Sequence, residues 1–292
     1  MPYAKAKDGT MLYHKDWGEG RPVVLLHGWP LTGDTFDDLA IALADRGFRS
    51  IIPDRRGFGR SDQPWNGYDY DTFADDVAAI LEHCQIAEPV ALVGFSMGGG
   101  EVARFLSKQG KDRVSAAVLI SSVVPYMLKT DDNPDGVPQS TFDEMTAGIK
   151  KDRAGFMHSF AKDFFGVGWM ASPVSDAVRA DFERQAAMAG LRPTLAAAQA
   201  FATTDFRPDL KSFTIPTLVI HGTADKTVPI DATGRVVAEQ VPGARLIEYD
   251  GSAHGVFASD KDRLIADVCG FLEGNVGSAA ERRSAIPLSE EV

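Results

Sequence analysis

Polarity along the chain alternates between short apolar runs and longer stretches in which apolar side chains recur every three or four residues. The runs lie at residues 23–26, 49–52, 90–93, 117–121, 217–220 and 246–249. Runs this short suit buried strands, and the three-to-four spacing suits helices with one buried face. Residues 72–85 place Phe73, Val77, Ile80 and Leu81 on one face, and residues 97–109 do the same with Val102, Phe105 and Leu106. Thr72 followed by Asp75 resembles a capping box at the first of these helices. Residues 261–272 read as another helix. Strand and helix in alternation predict an α/β class, with parallel strands joined by crossover helices.

The alternation breaks between residues 123 and 211. There the chain is rich in Phe and Ala, reads as helical, and is punctuated at Asn133-Pro134-Asp135-Gly136, Gly166, Ser172-Pro173 and Arg192-Pro193. It is expected to be a helical cap inserted between two parts of one core, residues 1–122 and 212–274. Residues 275–292 are small and polar with mixed charge and read as a C-terminal tail.

Composition narrows the function. The 292 residues carry 44% hydrophobic and 24% charged side chains, with a net charge of −11 that disfavours nucleic acid and anionic lipid as partners. The N-terminus lacks the apolar core of a secretion signal, and the longest charge-free run, 114–128, contains Pro125 and is too short to span a membrane. A cytoplasmic location is expected, and a homo-oligomer is compatible with the sequence. Cys84 and Cys269 have no neighbouring ligand at metal-binding spacing and are expected to be reduced packing residues.

Chemistry enters at Gly94-Phe95-Ser96-Met97-Gly98, which follows one apolar run and opens a helix. A serine hydroxyl becomes nucleophilic when a sharp strand-to-helix turn presents it beside a base and beside free amides. Of the six histidines, His254 is the candidate base, because it lies in a loop after the last apolar run and before a helix. His14, His83 and His158 read as packing or surface residues, His221 as the structural end of its strand, and His27 as a brace for its loop. Asp225, just past the run 217–220, is the candidate orienting carboxylate; Asp205, Asp209, Asp131, Asp132 and Asp135 are its rivals. The order Ser96, Asp225, His254 is that of α/β-hydrolases. Backbone N–H groups of Met97 and Trp29 are the candidate oxyanion hole, with the Trp29 indole walling the pocket. Pro30 is expected to restrict Trp29 and so set the direction of its carbonyl. The Arg- and Gly-rich turn 54–61 does not match a phosphate loop and is expected to be structural. The cap aromatics Phe156, Phe160, Phe164, Phe165 and Trp169 are expected to be mostly core, with one or two facing an acyl pocket.

His27-Gly28-Trp29-Pro30, Asp54-Arg55-Arg56-Gly57-Phe58-Gly59-Arg60-Ser61, Gly94-Phe95-Ser96-Met97-Gly98-Gly99-Gly100, His221-Gly222-Thr223-Ala224-Asp225 and His254-Gly255 together resemble the cofactor-free haloperoxidase and arylesterase group of α/β-hydrolases. The resemblance covers residues 3–274. It implies a mostly parallel sheet of about eight strands, with helices on both faces and a helical cap after the sixth strand. It also implies the triad Ser96, Asp225 and His254, and the oxyanion donors Trp29 and Met97. Walls at Trp29, Val123, Met127, Phe160, Phe164, Val228 and Ile230 would bind the substrate. The implied activity is metal-free and needs no cofactor: small aryl or alkyl esters form an acyl-enzyme, which water or hydrogen peroxide cleaves, peroxide giving a peracid. The same triad would also serve a lactonase, an acyltransferase, or a hydrolase-fold receptor with weak turnover. A dehalogenase or epoxide hydrolase is disfavoured, since those relatives attack with a carboxylate where this chain has Ser96.

Overall fold

A computed structural model of the chain describes residues 2–168 and 172–284. Each of the six apolar runs becomes a strand, and two further strands precede them. They are β1 (Tyr3–Lys5), β2 (Met11–Trp17), β3 (Arg21–Leu26), β4 (Phe48–Pro53), β5 (Val90–Phe95), β6 (Val114–Ile120), β7 (Thr217–Gly222) and β8 (Arg245–Tyr249). They form one sheet in the order β1-β2-β4-β3-β5-β6-β7-β8. Among the described residues β2 is the one reversed strand, antiparallel to both β1 and β4, and every other neighbouring pair is parallel.

The helices are α1 (Asp37–Ala44), α2 (Tyr70–His83), α3 (Met97–Gln109), α4 (Gln139–Lys151), α5 (Arg153–Phe164), α6 (Asp176–Ala187), α7 (Leu191–Thr203), α8 (Gly234–Gln240), α9 (Val256–Ser259) and α10 (Lys261–Ser284). The parallel strands are apolar on both sides because helices cover both faces. Val24, Leu26, Leu92 and Leu119 pack with α2 and α3 in one cluster. Their neighbours Val23, Leu25, Val93 and Val118 pack with Leu39 and Leu43 of α1 and with Leu264 and Val268 of α10 in another. Among the described residues, four helices, α4 to α7, lie between the sixth and seventh strands and form the cap.

Several sequence expectations change. Helix α2 begins two residues earlier than expected, and its cap is Asp69, whose Oδ1 accepts from the Thr72 N–H at 2.9 Å. Thr72 is therefore inside the helix, where its hydroxyl donates back to Asp69 at 2.9 Å. The turn after β4 is held by charge. Buried Arg55 pairs with Glu101 through Nε (2.5 Å) and Nη2 (2.7 Å), and Arg56 pairs with Asp76 at 2.5 and 2.6 Å. The C-terminal helix α10 carries on to Ser284, ten residues into the stretch read as tail. Residues 285–292 and the cap aromatic Trp169 lie outside the described residues. No helix among the described residues is long and apolar enough to cross a membrane.

Candidate active site

The turn between β5 and α3 puts Ser96 at φ 53°, ψ −117°, in the left-handed half of backbone space. A side-chain-bearing residue is held there only by its surroundings. The Ser96 N–H donates to the Ile120 carbonyl at 2.8 Å, while the Ser96 carbonyl accepts from the Gly99 N–H at 3.0 Å. Two flanking glycines are required by contact. A Cβ on Gly98 would run into the Leu26 carbonyl, and one on Gly94 would meet the Gly98 carbonyl. The chain can therefore reverse tightly at the carboxyl edge of the sheet, where crevices of open α/β sheets lie.

Three side chains from three loops meet there. His254 is 1% exposed, and its ring nitrogens lie 2.6 Å from Asp225 Oδ2 and 2.9 Å from Ser96 Oγ. An ionised carboxylate can only accept, so the ring proton sits on Nδ1 and Nε2 is left to accept from the Ser96 hydroxyl. Asp225 is fixed in turn. Its Oδ1 accepts from the Thr227 and Val228 N–H groups at 2.9 and 2.8 Å. Burial alone would raise its pKa, but the adjacent His254 ring and hydrogen bonds from His221 and His254 outweigh burial and hold it well below the usual carboxylate range. The His254 ring is packed edge-on by Phe164 with centroids 4.8 Å apart, and Phe95 lies 5.0 Å away on another side.

His221, next to last in β7, also touches the carboxylate, a contact the sequence does not reveal. Its Nε2–H donates to the Val228 carbonyl at 2.9 Å and sits 3.3 Å from Asp225 Oδ2. His27 is a brace. Its Nδ1–H donates to the Gly28 carbonyl at 2.8 Å, and its Nε2 accepts from the Arg55 N–H at 3.0 Å. Burial and the adjacent Arg55 push its pKa well down, so the ring stays neutral. Of the rival carboxylates, Asp205 and Asp132 pair with Arg207, and Asp209 pairs with Arg104.

Ser96 and His254 open on a cavity of about 500 Å³ between the sheet edge and the cap. Its wall includes Trp29, Val123, Met127, Phe160 and Val228, and also Phe142, Met145, Phe156 and Phe201. Phe164 and Ile230 are corrections, since neither is part of that wall. Phe164 is fully buried against the His254 ring, and Ile230 is buried in a 3-10 turn after β7. Trp29 is tied to the cap. Its Nε1–H donates to the Thr194 carbonyl at 3.0 Å, and its ring meets Phe160 and Phe201 edge-on at 5.7 Å. Among the described residues, neither the Trp29 nor the Met97 backbone N–H has a hydrogen-bond acceptor. A buried cavity with a hydrogen-bonded Ser–His–Asp chain, two free amides and an apolar wall can carry out acyl transfer. No group of three or more His, Cys, Asp or Glu side chains among the described residues is placed to hold a metal ion.

Known proteins resemble the chain over nearly its whole length. A family model described as alpha/beta hydrolase fold matches residues 21–261. A non-heme chloroperoxidase from Kitasatospora aureofaciens is 44% identical over 274 residues, covering 93% of this chain and 99% of that protein. A bifunctional esterase/perhydrolase from Acinetobacter calcoaceticus is 40% identical over 275 residues, covering 93% of this chain and 99% of its own length. Among solved structures, the bromoperoxidase from Bacillus anthracis superposes with a TM-score of 0.89 at 41% identity, covering 93% of this chain and 99% of that chain. The family model, the sequence relatives and the structural likeness agree, and the chain belongs to the α/β-hydrolase fold family.

Proposed function

We propose that the chain is a metal-free serine hydrolase of small carboxylic esters whose acyl-enzyme also yields peracid to hydrogen peroxide. The observation that carries this reading is the unbroken hydrogen-bond chain Asp225–His254–Ser96, 2.6 and 2.9 Å long, at the floor of an apolar cavity. Ser96 Oγ attacks the ester carbonyl as its proton passes to His254 Nε2, and Asp225 stabilises the imidazolium that forms. The Trp29 and Met97 amides receive the oxyanion, aided by the positive end of the α3 dipole. His254 then gives its proton to the departing alcohol. Water or peroxide repeats the attack on the acyl-enzyme with His254 as base. The two nucleophiles compete for one carbonyl, so a difference of about 1.4 kcal/mol between their barriers changes the product ratio tenfold. The esterase/perhydrolase relative supports this pairing of activities.

In this reading residues 123–211 act as the cap, residues 1–122 and 212–274 as the core, and residues 275–292 as an appended tail. The partners are esters or carboxylic acids with water or peroxide, and the protein acts in the cytoplasm. Steady turnover of p-nitrophenyl acetate is expected, with Ser96→Ala reducing kcat by about 10⁴-fold or more. Acetate with peroxide is expected to yield peracetic acid in wild type and none in Ser96→Ala. Single-turnover acylation without release would instead identify a ligand receptor and overturn the reading.

A further inference from the structure

A second cavity of about 460 Å³ adjoins the first. Asp163, at the end of α5, and Lys226, beside Asp225, border both. The second cavity is otherwise formed in part by Gly166, Ala224, Ser252 and Ala253. Two of these immediately precede His254, and Ala224 and Lys226 flank Asp225 in sequence, so the space is bordered by the loops that carry His254 and Asp225. The inner cavity is mostly apolar but also bordered by Glu144, and the outer one is also bordered by Lys162, Asp250 and Asp260. Both Asp163 and Lys226 are exposed, and neither makes an ion pair among the described residues.

Reaction geometry assigns the two spaces different halves of the ester. When the tetrahedral intermediate collapses, the bond from carbonyl carbon to alcohol oxygen breaks and its electron pair stays on that oxygen. The oxygen takes the proton held on His254 Nε2, so it must lie against the imidazole. A substituent on that oxygen can then reach towards Asp163 and Lys226, which line the same cavity as His254, while the acyl chain lies among Trp29, Phe160 and Phe201. A hydroxyl can donate to the Asp163 carboxylate and accept from the Lys226 ammonium at once. With Glu144, Asp250 and Asp260 set against Lys162 around the same space, the surroundings are net acidic and an anionic alcohol is disfavoured.

We infer that Asp163 and Lys226 form a leaving-group subsite for hydroxylated alcohols, so that the preferred esters join a small apolar acyl group to a diol or polyol. The inference rests on the ester-hydrolase reading above. The test compares kcat/KM for 2,3-dihydroxypropyl acetate with that for propyl acetate, in wild type, Asp163→Ala and Lys226→Met. Taking the ratio within each protein removes any general loss of activity, and comparing it between proteins removes the intrinsic reactivity of the two esters. The ratio is expected to fall by about fivefold or more in each variant. An unchanged ratio in both variants, with both esters still hydrolysed, overturns the subsite and leaves the hydrolase reading standing. Absence of Ser96-dependent hydrolysis of either ester in wild type overturns both.

Discussion

Asp225 is the residue whose chemistry depends most on folding. Four N–H groups surround it: two backbone amides and the rings of His221 and His254. Its pKa is depressed in the folded state, so its contribution to stability is fully present above the ordinary carboxylate value of 3.8 and is lost as pH falls through the lower folded value. Wild type should therefore lose part of its stability advantage over Asp225→Asn between about pH 6 and about pH 3, measured by urea unfolding at both. An advantage that grows on acidification would contradict this account. At this scale much was legible. Gly94 and Gly98 leave a signature because only glycine fits there, and His254 and Asp225 each sit just past an apolar run. Phe164 was misplaced because one ring in a helix rich in phenylalanine gives no sign of whether it faces a cavity or a neighbouring imidazole. The sequence reads His221 as the structural end of its strand, and its approach to Asp225 depends on how the next turn folds back.

Helix α3 joins the nucleophile turn to the rest of the core through Glu101, which is 2% exposed. Arg55 grips it with two nitrogens and also donates to the His27 carbonyl at 2.5 Å, beside the loop that carries Trp29. Glu101→Ala would leave a buried guanidinium unpaired, at a cost of about 3–5 kcal/mol in unfolding free energy, measurable by chemical denaturation. Glu101→Gln should cost less, because the amide oxygen still accepts one hydrogen bond. The elements the sequence missed share a cause. Strand β1 has three residues, and β2 buries His14 and Lys15 among its apolar positions, so neither produces an apolar run. Lys15 is buried because its ammonium reaches Asp34 and Asp37. Helix α1 is eight residues long, too short to establish a period.

For the whole molecule, specificity lies at the junction of cap and sheet. Phe201 of α7 and Phe160 of α5 both press on the Trp29 ring and narrow the inner cavity. Phe201→Ala should shift preference towards longer acyl chains, seen as a higher ratio of kcat/KM for p-nitrophenyl hexanoate over acetate; an unchanged ratio would place the acyl chain elsewhere. The cap could be located from composition, but its wall could not, because the rings that reach the cavity are selected by how four helices pack together. Those helices also hold the loop after β3. Gln185 accepts from the Thr32 N–H and hydroxyl, and Thr194 accepts from the Trp29 indole. A cap transplanted from another hydrolase would arrive without these anchors. Recombining lids among such proteins would then exchange substrate choice and disturb catalytic alignment in the same stroke, so useful chimaeras must carry the glutamine and the Thr194 backbone acceptor along with the new lid.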